Sequence, residues 1–171
     1  MKNQNSDLKS QKKEAENANS ILQLQDICFS YHSLAGETVV LKNITFDVKE
    51  GEFIAIVGPS GCGKSTLLNI ICGLVKAKSG TYIMPEDISI GYMLQHDHLF
   101  EWRTIFENVT LGLEIQKKLT KENIEYVESL LESYGLIDFK DKRPSELSGG
   151  MKQRAALIRT MALHPGILLL D

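Results

Sequence analysis

The sequence has no excess of positive charge and no long apolar run. Lysine and arginine number 19 against 22 aspartate and glutamate residues, which gives a formal net charge of −3. This balance excludes a broad basic surface for nucleic acid, so any phosphate binding has to be local. No apolar run approaches the roughly 18 to 20 residues that cross a bilayer, and the polar start lacks the apolar core of a signal peptide. We therefore expect a cytosolic chain without a nucleic-acid partner.

Cysteine is also scarce. Cys28, Cys62 and Cys72 are odd in number and show no C-x-x-C spacing, which disfavours a disulfide framework or a zinc site. We expect all three to be small packing residues. His96 and His98 share an H-x-H spacing without an evident third ligand, and we interpret them as solvated loop histidines.

Residues 1–20 are polar and offer almost nothing to bury, so they predict a disordered tail in front of one domain over residues 21–171. Two runs in that domain, ILQLQDICF and VVLKNITFDV, favour half-exposed antiparallel strands. The continuous apolar run FIAIV is typical of a parallel strand buried on both faces, and ISIGYML and ILLLD are interpreted as two further buried strands. The domain is therefore expected to be of the α/β class.

Helical periodicity separates these strands. A helix is predicted from near Lys64, with Gly73 close to its end, and its apolar face would consist of Leu67, Leu68, Ile71 and Leu74. The stretch 105–140 is predicted to be mainly helical, and within it Thr120 can cap a helix that Gly135 closes. A last helix is predicted from about residue 150 to residue 163.

The segment GPSGCGKST fits the P-loop pattern G-x-x-x-x-G-K-[ST] between a predicted strand and a predicted helix. Backbone amides of such a loop surround phosphates, while Lys64 would reach the β- and γ-phosphates and Ser65 would ligate Mg²⁺. The alternative is an ordinary glycine-rich turn. The predicted nucleotide-binding residues are Gly58, Pro59, Ser60, Gly61, Cys62, Gly63, Lys64, Ser65 and Thr66.

Two further segments carry candidate chemistry. Asp171 ends the apolar run ILLLD, as in a Walker B strand, where an acid can hold Mg²⁺ or its waters. LSGGMKQR combines a capping Ser148 with Gly149 and Gly150 at a predicted helix start, which favours an anion site. The alternatives are a buried strand that happens to end in aspartate and an ordinary serine-capped helix.

Single residues give weaker signals. Tyr31, after the first predicted strand, can stack on adenine, although it can equally be a core tyrosine. Gln95, just past the ISIGYML run, can reach Mg²⁺ or an attacking water, although it can also be a plain loop residue.

Residues 21–171 resemble the ATP-binding subunits of ABC transporters. The resemblance is carried by four elements in a fixed order, GPSGCGKST, Gln95, LSGGMKQR and ILLLD. Within that family, HLFEWRTIFENVTLGLEIQ is similar to importers of the nitrate, sulfonate and taurine group. The matching residues are Leu99, Trp102, Thr104, Asn108 and Val109. Glu101 stands where many relatives have proline.

The resemblance implies a P-loop NTPase fold of the ABC type, with an antiparallel β subdomain and a helical subdomain at about residues 105–140. It implies ATP and Mg²⁺ as cofactors, a catalytic set of Lys64, Gln95 and Asp171, and metal contacts from Ser65, Gln95 and Asp171. It also implies a head-to-tail homodimer in which the LSGG residues act in trans.

The same resemblance implies partners at a membrane. The helical subdomain would dock on membrane-spanning permease subunits, an extracytoplasmic solute-binding protein would act indirectly, and the chain would be peripheral on the cytoplasmic face. ATP binding and hydrolysis would drive solute import.

In relatives, the Walker B aspartate is followed by a water-polarising glutamate, a D-loop and a switch histidine, and a later strand lies between the P-loop strand and the Walker B strand. Those positions would follow residue 171. We therefore expect an incomplete domain that binds ATP without hydrolysing it. One alternative is a dedicated non-hydrolysing nucleotide-binding module, and another is the ATPase of an export or lipoprotein-release system.

Overall fold

The computed structural model describes residues 20–33 and 36–171. The predicted disordered tail lies outside the described residues, except for Ser20, which begins the first strand. The described residues up to Ile88 form one compact unit, and residues 89–171 form a second. None of the described helices is long and apolar enough to cross a membrane.

The first unit contains an antiparallel sheet of three strands in the order β2-β1-β3. The strands are β1 (Ser20–Ser33), β2 (Gly36–Lys49) and β3 (Ser79–Ile83), and both pairings are antiparallel. The apolar side chains of β1 that alternate with polar ones are buried, which is the period of a half-covered strand. They are Leu22, Leu24 and Ile27. The antiparallel strands expected from the sequence are confirmed.

Helix α1 (Lys64–Ile71) begins at the predicted residue and ends close to Gly73, as expected. Leu67, Leu68 and Ile71 are buried as predicted. Leu74 is 68% exposed, so its assignment to the apolar face is wrong. The reason is that Gly73, with φ of +77°, turns the chain away from the helix axis.

The run FIAIV, residues 53–57, is not a strand in the structure, contrary to the prediction from its continuous apolar character. Phe53 is 88% exposed and Val57 is 91% exposed. A strand needs backbone partners, and neither sheet found among the described residues includes this run. Apolar character alone therefore does not bury a strand when no neighbour pairs with it.

The second unit contains two parallel strands and four helices. β4 (Ile90–Met93) pairs with β5 (Ile167–Leu170) in parallel register. The helices are α2 (Ile105–Val109), α3 (Leu111–Ile115), α4 (Lys121–Ser133) and α5 (Gly149–Met161), with 3-10 turns at Ile137–Phe139 and Pro144–Glu146. The mainly helical stretch 105–140 is confirmed, and the last helix begins and ends slightly earlier than expected.

Strand β5 is buried on one face only, whereas the sequence predicted a buried strand. Ile167 and Leu169 are buried, while Leu168 and Leu170 are exposed. The reason is that β5 pairs with β4 alone among the described strands. Strand β4 packs against α5 so closely that a β-carbon on Gly91 would lie 2.9 Å from Thr160.

The helices of this unit enclose one apolar core. Its fully buried members come from α2, α4, α5 and the turn after α4, and they are Ile105, Val109, Val127, Leu131, Leu136, Ala155 and Ile158. Thr120 caps α4 by accepting a hydrogen bond from the Asn123 amide, as predicted. Gly135 closes α4 with φ of +66°.

Asn108 is the fully buried polar side chain of this core. Its amide nitrogen donates to the carbonyl oxygens of Phe100, Arg103 and Thr104 at 3.0, 3.3 and 2.9 Å, and its oxygen accepts from the Phe100 amide at 2.7 Å. Asn108 therefore fixes the backbone of the loop that precedes α2. Asparagine at this position of the importer pattern therefore has a structural role, because an apolar side chain could not form these hydrogen bonds.

We predict that Asn108→Ala destabilises the full-length protein by about 3 kcal/mol, because it leaves buried backbone groups without partners. Asn123→Ala, which removes one hydrogen bond to the Lys118 carbonyl at an exposed site, is the matched control and should cost about 1 kcal/mol or less. Urea unfolding of both variants measures the difference. Equal losses would show that the four bonds of Asn108 do not hold the loop.

Candidate functional site

The loop from Gly58 to Gly63 leads directly into α1 and has two glycines in left-handed conformation. Gly61 has φ of +78° and Gly63 has φ of +100°, a region that residues with a β-carbon rarely adopt. At Gly63 there is no room either, because a β-carbon would lie 2.7 Å from Val40 and 2.9 Å from Leu41. Strand β2 therefore fixes the end of the loop at the start of α1.

The Lys64 ammonium lies over this loop. Its Nζ donates to the carbonyl oxygens of Gly58 and Pro59, both at 2.9 Å, and lies 3.7 Å from the Cys62 sulfur. The loop thus encloses a positive charge. Cys62 is exposed, so its interpretation as a packing residue is wrong, because the loop lies at the surface; Cys28 and Cys72 are partly buried.

The start of α1 offers backbone amides without a side-chain cap. Its N-cap residue is Gly63, and the first turn contains no acidic side chain. The amides of a first turn and the positive end of the helix dipole make such a start attractive for an anion. Ser65 is exposed at this start and Thr66 is buried.

Tyr31 lies beside the same helix start. Its hydroxyl is 3.3 Å from the Thr66 hydroxyl, and its ring meets Phe29 edge to face at 4.9 Å. The residue is 49% exposed, so it is not a core tyrosine. An aromatic surface is therefore available next to the loop.

An ion pair between Glu37 and Lys78 stabilises the sheet that carries Tyr31. Lys78 Nζ and the Ser30 hydroxyl both donate to Oε1 of Glu37 at 2.5 Å. These two hydrogen bonds, Lys78 first, lower the pKa of Glu37 from 4.5 to about 2. Because the folded-state pKa is depressed, the pair contributes to stability above pH 4.5 and loses this contribution as pH falls towards 2. Both side chains are exposed, so salt screens the pair.

The LSGG segment forms the start of α5 in the second unit. The Ser148 hydroxyl accepts from the Met151 amide at 3.4 Å, as a capping serine does. Gly149 and Gly150 are exposed, and a β-carbon on either would meet nothing within 4 Å. The first turn has no acidic side chain, so this helix start is open and polar.

Gln95 and Asp171 follow the ends of β4 and β5. Because these strands are parallel, both residues lie at the carboxyl edge of the same two-stranded sheet. The Asp171 amide donates to the Met93 carbonyl at 3.0 Å, and its carboxylate accepts from the Tyr92 hydroxyl at 3.3 Å. Gln95 is exposed, and its backbone carbonyl accepts a hydrogen bond from the side-chain amide of Gln153.

Sequence reasoning missed Tyr92 and Arg159. Tyr92 reaches Asp171 because β4 and β5 are neighbours, which no local pattern reveals. Arg159 lies in the last turn of α5 and donates to the carbonyl oxygens of Asp97 and His98. A lone arginine at such a position is ordinarily a solvated helix residue, so no sequence pattern predicts this contact.

The family model "ABC transporter" matches residues 41–171. The chain is 47% identical to the uncharacterized ABC transporter ATP-binding protein YtlC of Bacillus subtilis, over 89% of this chain and 61% of that protein. It is 41% identical to the nitrate import ATP-binding protein NrtD of Synechocystis sp., over 88% of this chain and 59% of that protein. The chain thus spans about three fifths of the length of these relatives.

Among solved structures, the ATP-binding cassette MJ0796, in a dimeric post-hydrolysis state with ADP and Pi, superposes with a TM-score of 0.76. The two sequences are 33% identical, and the match covers 88% of this chain and 73% of that one. The family match and this shared fold confirm the resemblance carried by GPSGCGKST and LSGGMKQR. The chain belongs to the ABC transporter family and has the fold of its ATP-binding domain.

Proposed function

We propose that the protein is the ATP-binding subunit of an ABC importer and that residues 58–66 hold the triphosphate of Mg-ATP. The observation that carries the proposal is the Lys64 ammonium, held at 2.9 Å from two loop carbonyls beside an uncapped helix start. Positive charge and outward amides at one place match the charge of a triphosphate.

Mg²⁺ is the ion that the family resemblance assigns to Ser65, Gln95 and Asp171, and we keep that assignment as part of the proposal. Ser65, Gln95 and Asp171 would offer a hydroxyl, an amide and a carboxylate oxygen, and Mg²⁺ prefers oxygen ligands. When bound, the ion neutralises charge on the phosphates during transfer. Tyr92 would orient the Asp171 carboxylate through its hydroxyl. Lys64, Gln95 and Asp171 form the proposed catalytic set.

Tyr31 is proposed to stack on the adenine ring. Support comes from its exposed ring and from its hydroxyl contact to Thr66 at the end of the proposed phosphate loop. Stacking of this kind is worth about 1 kcal/mol and does not distinguish purines, since each presents a π face.

The open start of α5 is proposed to meet ATP bound by a second copy in a head-to-tail dimer. Ser148, Gly149 and Gly150 are exposed, and a β-carbon on either glycine would meet nothing within 4 Å, which leaves room for a phosphate group. Two ATP molecules would then be enclosed between two subunits, and closure around them would do mechanical work on partners.

The partners that we propose are membrane-spanning permease subunits, and indirectly an extracytoplasmic solute-binding protein. The chain would be peripheral on the cytoplasmic face of the membrane. The stretch around Trp102 and the nitrate-import relative favour import of a small oxyanion or sulfonate over export or lipoprotein release. Co-purification with a permease tests this choice, and recovery of an exporter subunit would contradict it.

We predict that Lys64→Ala weakens binding of a fluorescent ATP analogue at least about tenfold in the full-length protein, because a charged hydrogen bond is worth about 1.5–3 kcal/mol. Lys76→Ala, at an exposed position of the same unit, is the control and should bind like wild type. Equal affinities of wild type and Lys64→Ala would remove the assignment of the loop.

We predict that Ser148→Arg leaves nucleotide binding by a monomer intact but prevents ATP-driven dimerisation, since a long cation would occupy the space for the partner's ATP. Ser129→Arg, on the exposed side of α4, carries the same added charge and should dimerise. Light scattering with ATP under conditions that block hydrolysis measures this. A Ser148→Arg protein that dimerises like wild type would contradict the trans role.

A further inference from the structure

Side chains of α5 hold the backbone of the segment 95–98, which follows β4. One guanidinium nitrogen of Arg159 donates a hydrogen bond to the Asp97 carbonyl at 2.6 Å, and another donates to the His98 carbonyl at 2.8 Å. Six residues earlier on the same helix, Gln153 donates to the Gln95 carbonyl at 3.5 Å. Helix α5, which starts at the LSGG segment, therefore forms hydrogen bonds with this loop from two side chains.

One residue of this loop, His98, has an uncommon backbone conformation. His98 has φ of +45°, a left-handed value that is uncommon for residues with a β-carbon. Just after it, Leu99 is buried in the helical core, and its amide donates to the Asp97 carboxylate at 3.1 Å. Unfavourable conformations of this kind persist when surrounding contacts hold them.

Arg159 is suited to such a contact. Burial lowers the pKa of its guanidinium, and the charge of Asp97 offsets this in part. Arginine nevertheless stays protonated in proteins and has no acceptor, so it always presents donors in a fixed planar fork. A planar fork matches two successive carbonyl oxygens better than a single ammonium does.

We infer that Arg159 is a positioning residue that fixes the segment 95–98 against α5, so that Gln95 and the start of α5 move as one body. The inference rests on the proposed function, in which Gln95 contacts Mg²⁺ or water and Ser148 faces ATP. It assigns a role to a residue that contacts neither nucleotide nor metal in that proposal.

A positioning role makes a different prediction from a merely stabilising one. In the proposed function, ATP affinity comes mainly from residues 58–66 and Tyr31, which Arg159 does not contact, so loss of the Arg159 contact should leave the affinity nearly unchanged. Turnover requires Gln95 in place, so it should fall, since misplacement of a catalytic group by about 1 Å can cost roughly a hundredfold.

The first test compares Arg159→Ala, Arg159→Lys and the exposed-site control Lys121→Ala in the full-length protein assembled with its permease. We expect Arg159→Ala to lower kcat roughly tenfold to a hundredfold, with the Kd of a fluorescent ATP analogue within about twofold of wild type. Arg159→Lys should restore kcat in part, because lysine can reach one carbonyl. A folded Arg159→Ala protein with wild-type kcat, or one with equally impaired ATP affinity, would overturn the inference.

A second pair of variants keeps the test decisive if Arg159→Ala fails to fold. His98 is exposed, so substitutions there do not disturb the core. Valine strongly disfavours the left-handed conformation whereas asparagine tolerates it, so His98→Val should lower kcat while His98→Asn keeps it. Equal kcat values for the two would overturn the inference. Absence of ATP binding by the wild-type protein would instead remove the proposed function, and the inference with it.

Discussion

The close contact between Gly63 and β2 is the constraint on which the phosphate loop depends. A β-carbon at Gly63 would clash with Val40 and Leu41, so the loop can end at this strand only because residue 63 is glycine. Strand β1 pairs with β2 and carries Tyr31, whose hydroxyl touches Thr66 of α1. One small residue therefore sets the position of the loop, of the helix start and, through the sheet, of the exposed aromatic ring.

In the second unit the parallel pairing of β4 and β5 has the corresponding role. It brings Gln95 and Asp171 to one edge of a sheet, and α5 packs against β4 through Gly91. The helix that begins at Ser148 then holds the loop after β4 through Gln153 and Arg159. Helix α5 therefore positions both Gln95 and the LSGG segment, the two elements to which we assign chemical roles in this unit.

Local patterns in the sequence predicted the local structure well. The caps at Thr120 and Ser148 and the turn at Gly135 form as expected, because each depends on a few neighbouring residues. The antiparallel strands followed from alternation, and the family followed from GPSGCGKST and LSGGMKQR.

Features that depend on distant partners were predicted less well. Phe53 and Val57 looked buried because they are apolar, yet burial requires a neighbouring strand, which this run lacks among the described residues. The contacts of Tyr92 with Asp171 and of Arg159 with His98 join residues far apart in the chain. No periodicity or spacing encodes such pairs, so they emerge only when the strands and helices are placed together.

The central claim is that residues 58–66 receive the triphosphate, and hydrogen exchange measured by mass spectrometry tests it most directly. The full-length protein would be compared with and without Mg-ATP. We predict slower amide exchange in residues 58–66, because these amides would donate to phosphate oxygens, and no such slowing in Lys64→Ala at the same ATP concentration. Slower exchange elsewhere in the chain, with residues 58–66 unchanged, would contradict it.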